Sequence, residues 1–195
     1  LPKKYLRNST IYFKNKILKI MAVSKPFNLQ QWVEENRHLL KPPVGNKQVY
    51  IDNKDFIVMI VGGPNSRKDY HFEDAEELFY QIEGDIVVKT IQDEKPVDVP
   101  IKQGEMFLLP PRVPHSPQRG ANTIGLVVER YRKPDEMDAC MWFCEKCNHK
   151  LYEEFFPLKD IVNQLPVVMN NFYNSLEKRT CSQCKAIMEP PVPAK

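Results

Sequence analysis

Two separate segments of the chain contain residues suited to binding a redox-active metal. The first, GGPNSRKDYHFEDAEELFYQIEGD, contains His71 and Glu77, and the second, GEMFLLPPRVPHSPQR, contains His115. Imidazole suits Fe(II), and two histidines with one carboxylate leave coordination positions open for a substrate and for dioxygen. These residue types therefore indicate oxygen chemistry at an iron site.

The spacing of these residues supports a metal site over structural histidines, of which His38 and His149 are the ordinary kind. The segments are similar to the two cupin motifs, G-x5-H-x-H-x3-E-x6-G and G-x5-P-x-G-x2-H-x3-N. Six positions agree: His71, Glu77, Gly84, Gly104, Pro110 and His115. Agreement across two separated segments predicts a three-ligand metal site.

Three of the departures from these motifs bear on the chemistry. Glu73 replaces the second histidine, Arg112 replaces a glycine, and Arg119 replaces the final asparagine. Because alternate residues of a strand share a face, Glu73 could point inward beside His71 and is a rival ligand. Glu77 is preferred because it keeps the motif's spacing to its last glycine.

Two arginines flank the metal histidines. Arg67 lies four residues before His71, and Arg119 lies four residues after His115. A guanidinium presents a planar fork that fits a carboxylate, so the pair predicts an anionic or oxygen-rich substrate. The alternative is that each arginine is a solvated surface charge.

The cysteines predict a second metal site. Cys144-x-x-Cys147 and Cys181-x-x-Cys184 are separated by 33 residues, the arrangement of a rubredoxin-like or zinc-ribbon site holding structural zinc or iron. A redox dithiol or a regulatory disulfide is the alternative. Cys140 is surplus and is expected to pack as a small apolar residue. Paired cysteines without a secretory signal favour a reducing, cytoplasmic location.

The order of apolar runs predicts a mainly β fold. NLQQWVEENRHLL, with Asn28 as N-cap, predicts a short N-terminal helix. Seven or so short apolar runs between residues 48 and 131 then predict an antiparallel sandwich or barrel, and residues 158–176 suit a helix. The predicted divisions are a disordered extension (1–20), a catalytic barrel (21–135), a four-cysteine module with a helix (136–188) and a Pro-rich tail (189–195).

Charge and composition exclude two classes of partner. The formal charge is +3, but residues 1–20 contain six basic residues and no acidic one, which leaves 22 basic against 25 acidic residues elsewhere. The body therefore has no basic excess to bind nucleic acid, and no apolar run long enough for a membrane. Met21 is expected to be the natural start, with residues 1–20 an upstream extension; a targeting segment is the alternative.

Four segments, LLKPPVGNK, IVGGPNSRKDYH, LPPRVPHSP and GLVVER, resemble the 3-hydroxyanthranilate 3,4-dioxygenase family. The resemblance runs from about Phe27 to Cys184. It implies a cupin, a jelly-roll-like antiparallel β-barrel, followed by a small metal-binding helical extension. Forms of this family with the cysteine pairs are microbial or fungal and generally dimeric, so the resemblance implies a homodimer.

The resemblance also implies roles for individual residues. Fe(II) would be held by His71, Glu77 and His115. Arg67 would lie on the dioxygen side, and it would act in catalysis together with Arg119 and Glu129. The implied substrate-binding set is Glu77, Arg119, Glu129 and Asn46. Alternatives exist for two of these residues: Glu129 as a strand-end carboxylate paired with Arg130 or Arg132, and Asn46 as a turn residue.

The implied reaction cleaves the ring of 3-hydroxyanthranilate with O2 to 2-amino-3-carboxymuconate semialdehyde, which leads to quinolinate and so from tryptophan, through kynurenine, to NAD. One rival hypothesis is another metal-dependent cupin dioxygenase or isomerase with the same ligands. A second is a zinc-ribbon adaptor whose cupin barrel is inert.

Overall fold

The computed structural model describes residues 10–13, 16–19, 25–42, 45–51, 55–159 and 161–192. The chain divides into two units, residues 1–34 and 35–195. None of the helices in the described ranges is long and apolar enough to cross a membrane. The predicted start at Met21 lies outside the described residues.

The first unit contains a hairpin and the start of a helix. Strands β1 (Thr10–Phe13) and β2 (Lys16–Lys19) pair antiparallel, so part of the segment predicted to be a disordered extension is regular here. Helix α1 spans Leu29–Asn36. The side chain of Asn28 accepts a hydrogen bond from the Gln31 amide at 2.9 Å, which confirms the predicted N-cap.

The second unit is built on antiparallel strands. After a 3-10 turn at Arg37–Leu39, the strands are β3 (Asn46–Gln48), β4 (Phe56–Gly62), β5 (Tyr70–Phe72), β6 (Glu77–Glu83), β7 (Ile86–Gln92), β8 (Lys95–Ile101), β9 (Met106–Leu109), β10 (His115–Arg119), β11 (Ile124–Arg130), β12 (Asp138–Phe143) and β13 (Lys150–Phe156). The two sheet orders are β13-β12-β5-β10-β7-β8 and β3-β4-β11-β6-β9. The predicted mainly β, antiparallel cupin class is confirmed. Among the described residues the two sheets do not pair with each other, so the barrel consists of two facing sheets.

Buried and partly exposed residues alternate along the strands, and the buried ones fill the space between the two sheets. In β6 from residue 77 to 81 and in β11 from residue 125 to 129, odd-numbered residues such as Phe79 and Val127 are buried, while the even-numbered ones between them are partly exposed. These residues pack with Ile86, Val88, Ile101 and Leu109 into one apolar cluster. Because a strand alternates its faces, the same parity directs Glu77, Gln81 and Glu129 into the interior. Apolar packing therefore fixes the direction of the polar site residues.

Two motif glycines make left-handed turns between strands. Gly84 has φ +65° and Gly104 has φ +86°, a region that residues with a Cβ rarely occupy. Arg112, which replaces the second glycine of the second motif, still adopts φ +63°. Its backbone amide donates to the Glu73 carbonyl at 2.8 Å, so the turn is kept although the residue type has changed.

A second apolar cluster lies where β12 and β13 meet the C-terminal helices. Helix α2 (Ile161–Tyr173) lies within the predicted helical stretch, and helix α3 (Leu176–Arg179) begins at the last residue of that stretch. Trp142 stacks on Phe172 with ring centroids 4.4 Å apart, and Cys140 is fully buried in this cluster, as expected for an apolar role. β12 pairs directly with β5 of the sheet. The division between barrel and cysteine module at residues 135/136 stays a prediction.

Candidate active site

Adjacent strands bring the two predicted metal histidines together. His71 on β5 and His115 on β10 are paired in register, with ring centroids 5.3 Å apart. His115 is buried, and its Nδ1 lies 3.0 Å from the carbonyl oxygen of Val113. Donation from Nδ1 to that carbonyl leaves Nε2 with a free lone pair, which is the form a metal binds.

Glu77 reaches the same point from the opposite sheet. Its Oε2 lies 2.8 Å from His115 Nε2, yet this buried oxygen has no hydrogen-bond partner among the described residues. Burial alone would raise the pKa of Glu77, but the His115 ring outweighs it and the pKa is lowered. Two metal-donor atoms that converge to 2.8 Å in a buried place fit a shared cation, so the residues suit a metal.

Glu73 remains a geometric rival to Glu77. The potential ligand atoms of His71, Glu73 and His115 all lie within 4.8 Å of one another. Burial raises the pKa of Glu73 and the negative charge of Glu129 adds to the effect, while the Arg132 guanidinium opposes it. Glu73 is also drawn away from this group, because Arg132 Nη2 lies 2.6 Å from its Oε2.

Arg132 is the centre of a buried ion network, of which the sequence analysis offered one contact, the pairing with Glu129. It lies 2.6 Å from a carboxylate oxygen of Glu129 and contacts both oxygens of Asp138, at 2.8 and 2.7 Å. Asp138 is fully buried and lies 2.7 Å from His71 Nε2. Asp138 opens the buried strand DACMWF, and an acidic residue in such a run was the available signal for a buried partner.

Arg119 is a buried cation without an anionic partner. The residue is 5% exposed, so the surface-charge alternative is wrong for it. Its Nη1 donates to Gln81 Oε1 at 3.3 Å, and no carboxylate of the described residues lies within ion-pair distance. Burial lowers the pKa of Arg119 to about 10. This arrangement suits an anionic ligand entering from the interior.

Arg67 is held by an acidic residue that the sequence analysis did not consider. It forms an ion pair with Asp69, which is only 1% exposed. Burial would lower the pKa of Arg67, but the Asp69 carboxylate outweighs it and the pKa is raised. The guanidinium is therefore a fixed charge.

Because Gly125 has no side chain, there is room beside it for the Arg119 guanidinium. A Cβ at this position would lie 2.8 Å from both Arg119 Nη1 and Gln81 Oε1. Gly125→Ala is therefore expected to displace the guanidinium and to lower kcat/KM by about 100-fold, the cost of misplacing a binding group by about an ångström. Steady-state kinetics checks this, and unchanged kcat/KM would show that Arg119 has no positioned role. Gly120→Ala, where no atom lies within 4 Å of the added Cβ, is the matched control.

The two remaining predicted residues differ in their positions. Glu129 is buried on β11 directly opposite Glu77 on β6. Burial, followed by repulsion from Glu77, raises its pKa, while the ion pair with Arg132 opposes the increase. Asn46, by contrast, lies on the edge strand β3 with an exposed side chain. The predicted substrate contact of Asn46 stays a prediction.

The four paired cysteines converge at the C-terminal end. All four are free, and their sulfur atoms lie within 4.8 Å of one another. Cys144 and Cys184 are 3.5 Å apart, and Cys147 and Cys181 are 3.6 Å apart. Metal–sulfur bonds of about 2.3 Å in a tetrahedron place sulfurs about 3.8 Å apart, so the cluster fits a four-thiolate metal site.

Each cysteine pair has the same backbone turn. The amide of Asn148 donates to the Cys144 carbonyl, and the amide of Lys185 donates to the Cys181 carbonyl. Asn148 has φ +60° and Lys185 has φ +62°, so both turns end in the left-handed region. The two turns place the four sulfurs without a disulfide.

Cys181→Ser is expected to lose the metal of the four-cysteine site and to destabilise the C-terminal cluster by several kcal/mol, because metal binding energy there is folding energy. Metal content after dialysis and the melting temperature check this. Cys140→Ser, which changes a cysteine outside the site, should retain the metal. Equal metal content in wild type and Cys181→Ser would contradict the assignment.

Two facing antiparallel sheets with a histidine–carboxylate cluster between them define a metal-dependent cupin. The sequence model of the 3-hydroxyanthranilic acid dioxygenase family matches residues 21–173, and the chain belongs to that family. It is an enzyme of the dioxygenase class, as its curated relatives are, which excludes the inert-adaptor hypothesis.

The relatives match over most of their length. A protein of Xanthomonas oryzae pv. oryzae named 3-hydroxyanthranilate 3,4-dioxygenase is 58% identical, covering 82% of this chain and 89% of its own. One from Jannaschia sp. with the same name is 49% identical, covering 88% and 97%. A solved RmlC-like cupin from Shewanella frigidimarina has 16% identity and a TM-score of 0.37, covering 46% of this chain and 78% of its own. The strand pairing of this chain itself defines its two-sheet architecture.

Proposed function

We propose that this enzyme is Fe(II)-dependent and cleaves the ring of 3-hydroxyanthranilate with O2, giving 2-amino-3-carboxymuconate semialdehyde. The names of its relatives support the substrate. His71, Glu77 and His115 are the proposed iron ligands. The converging Glu77 oxygen and His115 nitrogen support this set.

The observation that carries the proposal is the buried guanidinium of Arg119. A charged group removed from water without a counter-charge is costly, and a ligand carboxylate would offset that cost. Arg119 and His115 lie on the same strand with the parity that faces the interior. An aromatic substrate bearing a carboxylate is thus held at one end by Arg119 and presents its other end to the metal ligands.

The other residues have roles that follow from their charges. Glu129 has a raised pKa and a fixed ion pair with Arg132, so it is suited to hold or accept a proton of the substrate's hydroxyl or amino group. Arg67, fixed by Asp69, supplies a positive charge on the dioxygen side. Held by His71, Glu77 and His115, iron would bring substrate and dioxygen next to each other and favour the deprotonated, electron-rich form of the ring. Both oxygen atoms enter the product.

The wider setting is part of the same proposal. The product closes to quinolinate, which places the enzyme on the route from tryptophan through kynurenine to NAD. The free paired cysteines support a reducing, cytoplasmic location, with zinc or iron as the second metal. We also propose a homodimer, on the basis of the family resemblance.

Anaerobic reconstitution with Fe(II), followed by 3-hydroxyanthranilate and O2, tests the function. The expected result is a near-ultraviolet absorbing product with one O2 consumed for each substrate molecule. Stoichiometric iron without turnover would indicate another cupin substrate. Failure to bind iron at a site other than the four cysteines would contradict the iron-dependent mechanism.

A further inference from the structure

Arg132 joins three carboxylates from three different parts of the chain. Its guanidinium contacts Glu73 after β5, Glu129 on β11 and Asp138 on β12, each at 2.6 to 2.7 Å. The side chain is 6% exposed, so these ion pairs are shielded from water. A single buried guanidinium with several partners fixes the positions of all of them.

Glu73 is the one of these three that stands where a cupin has a further metal ligand. It replaces the second histidine of the motif, and its carboxylate belongs to the group of ligand atoms within 4.8 Å that includes His71 and His115. Neither of its oxygens has a hydrogen-bond partner among the described residues. The ion pair with Arg132 is therefore the contact that holds this carboxylate.

We propose that Arg132 is a positioning residue that keeps Glu73 out of the metal's coordination sphere. The inference rests on the proposed function, in which Glu77 is the single carboxylate ligand. An octahedral ion with three protein ligands keeps three positions open, two for the substrate's adjacent hydroxyl and amino groups and one for dioxygen. A second carboxylate would occupy the position that dioxygen needs.

The charges explain why Glu73 would bind if released. A buried carboxylate that loses its counter-charge is strongly destabilised, and a nearby divalent cation is the available replacement. Glu129 and Asp138 are placed differently, because Asp138 also contacts His71 Nε2 and Glu129 lies opposite Glu77. Of the three carboxylates, Glu73 is the one whose oxygen lies within 4.8 Å of ligand atoms of both histidines, so loss of Arg132 would alter the ligand set chiefly through Glu73.

The test compares wild type with Arg132→Met, Glu73→Gln and the double variant, all with zinc already in the four-cysteine site. Two quantities are measured without oxygen: Fe(II) affinity by competition with a chelator, and nitric oxide affinity of the iron–substrate complex by electron paramagnetic resonance. Nitric oxide probes the position left for a diatomic gas. Arg130→Met is the control for loss of a neighbouring arginine, because the ion pair of Arg130 is with Glu136 and not with Glu73.

Arg132→Met is expected to weaken nitric oxide binding at least about 10-fold while retaining iron. Adding Glu73→Gln should restore nitric oxide binding and weaken iron binding. Opposite changes in nitric oxide affinity and iron affinity are not expected if Arg132 is merely a structural support, because loss of such a support lowers metal affinity about 10- to 100-fold. Glu73→Gln alone should behave as wild type.

Three results would overturn the proposal. One is weaker iron binding in Arg132→Met with no recovery of nitric oxide binding in the double variant; another is loss of iron in Glu73→Gln alone, which would make Glu73 a ligand. If Arg132→Met does not fold, Arg132→Lys replaces it, because lysine keeps the charge without the planar fork. The third overturning result is that adding Glu73→Gln to Arg132→Lys does not restore nitric oxide binding. Wild type that binds no iron would instead refute the proposed function.

Discussion

His115→Ala is expected to abolish iron binding at the histidine site and to lower turnover at least about 1000-fold, equivalent to about 4 kcal/mol of lost metal catalysis. The side chain is 2% exposed and converges with Glu77 Oε2 at 2.8 Å, so no solvent-exposed group can replace it. Iron content and single-turnover product formation under oxygen measure the two effects.

The matched control is His38→Ala, because His38 is an exposed histidine outside the two sheets. It should leave iron content and turnover unchanged. The melting temperature separates loss of a ligand from loss of the fold, since a cavity at a buried site costs stability even without a metal. Stoichiometric iron in folded His115→Ala would remove this residue from the ligand set.

Arg119→Met is expected to lower kcat/KM for 3-hydroxyanthranilate by about 100- to 1000-fold, the cost of about 3 to 4 kcal/mol for truncating one partner of a buried charge pair. The effect on stability should have the opposite sign. Since the charge is buried without a carboxylate partner and its pKa is lowered to about 10, its removal should maintain or raise the melting temperature.

A substrate without the carboxylate completes this experiment. Wild type should lose a similar factor on 2-aminophenol, whereas Arg119→Met should handle both compounds about equally. Arg112→Met removes an exposed arginine that pairs with Asp74, and it should retain full discrimination. Strong discrimination by Arg119→Met would mean that another group binds the carboxylate.

The sequence allowed prediction of the strands that form apolar runs between residues 48 and 131. It missed other strands, among them β5, β10, β12 and β13. β4, β6, β7 and β11 are long runs of apolar residues at strand spacing. β5 has three residues and β10 reads HSPQR, so neither carries an apolar signal, although both carry histidines of the site. Their strand structure depends on pairing with β7 and β12 across the sheet, which is not encoded locally.

The same distinction applies to the candidate site. His71, Glu77, His115 and Arg119 could be predicted because motif spacing ties each to a turn or strand. The sequence offered Arg132 only as an alternative partner of Glu129, and the rest of its network could not be predicted, since those partners come from distant strands brought together by register. Long-range pairing of this kind becomes visible only once the sheet order is known.

One short strand lies between the two proposed metal sites. β12 begins with Asp138, which contacts His71, and Cys144 follows its last residue, so about 20 Å of extended chain lies between Asp138 and Cys144. Because Asp138 is part of β12, any free energy that a thiolate-bound ion contributes to ordering β12 also helps to hold Asp138 against His71. If both proposed sites hold an ion, we expect their occupancies to be linked: each ion would raise the other's affinity by the same factor, and depletion of one metal would lower retention of the other.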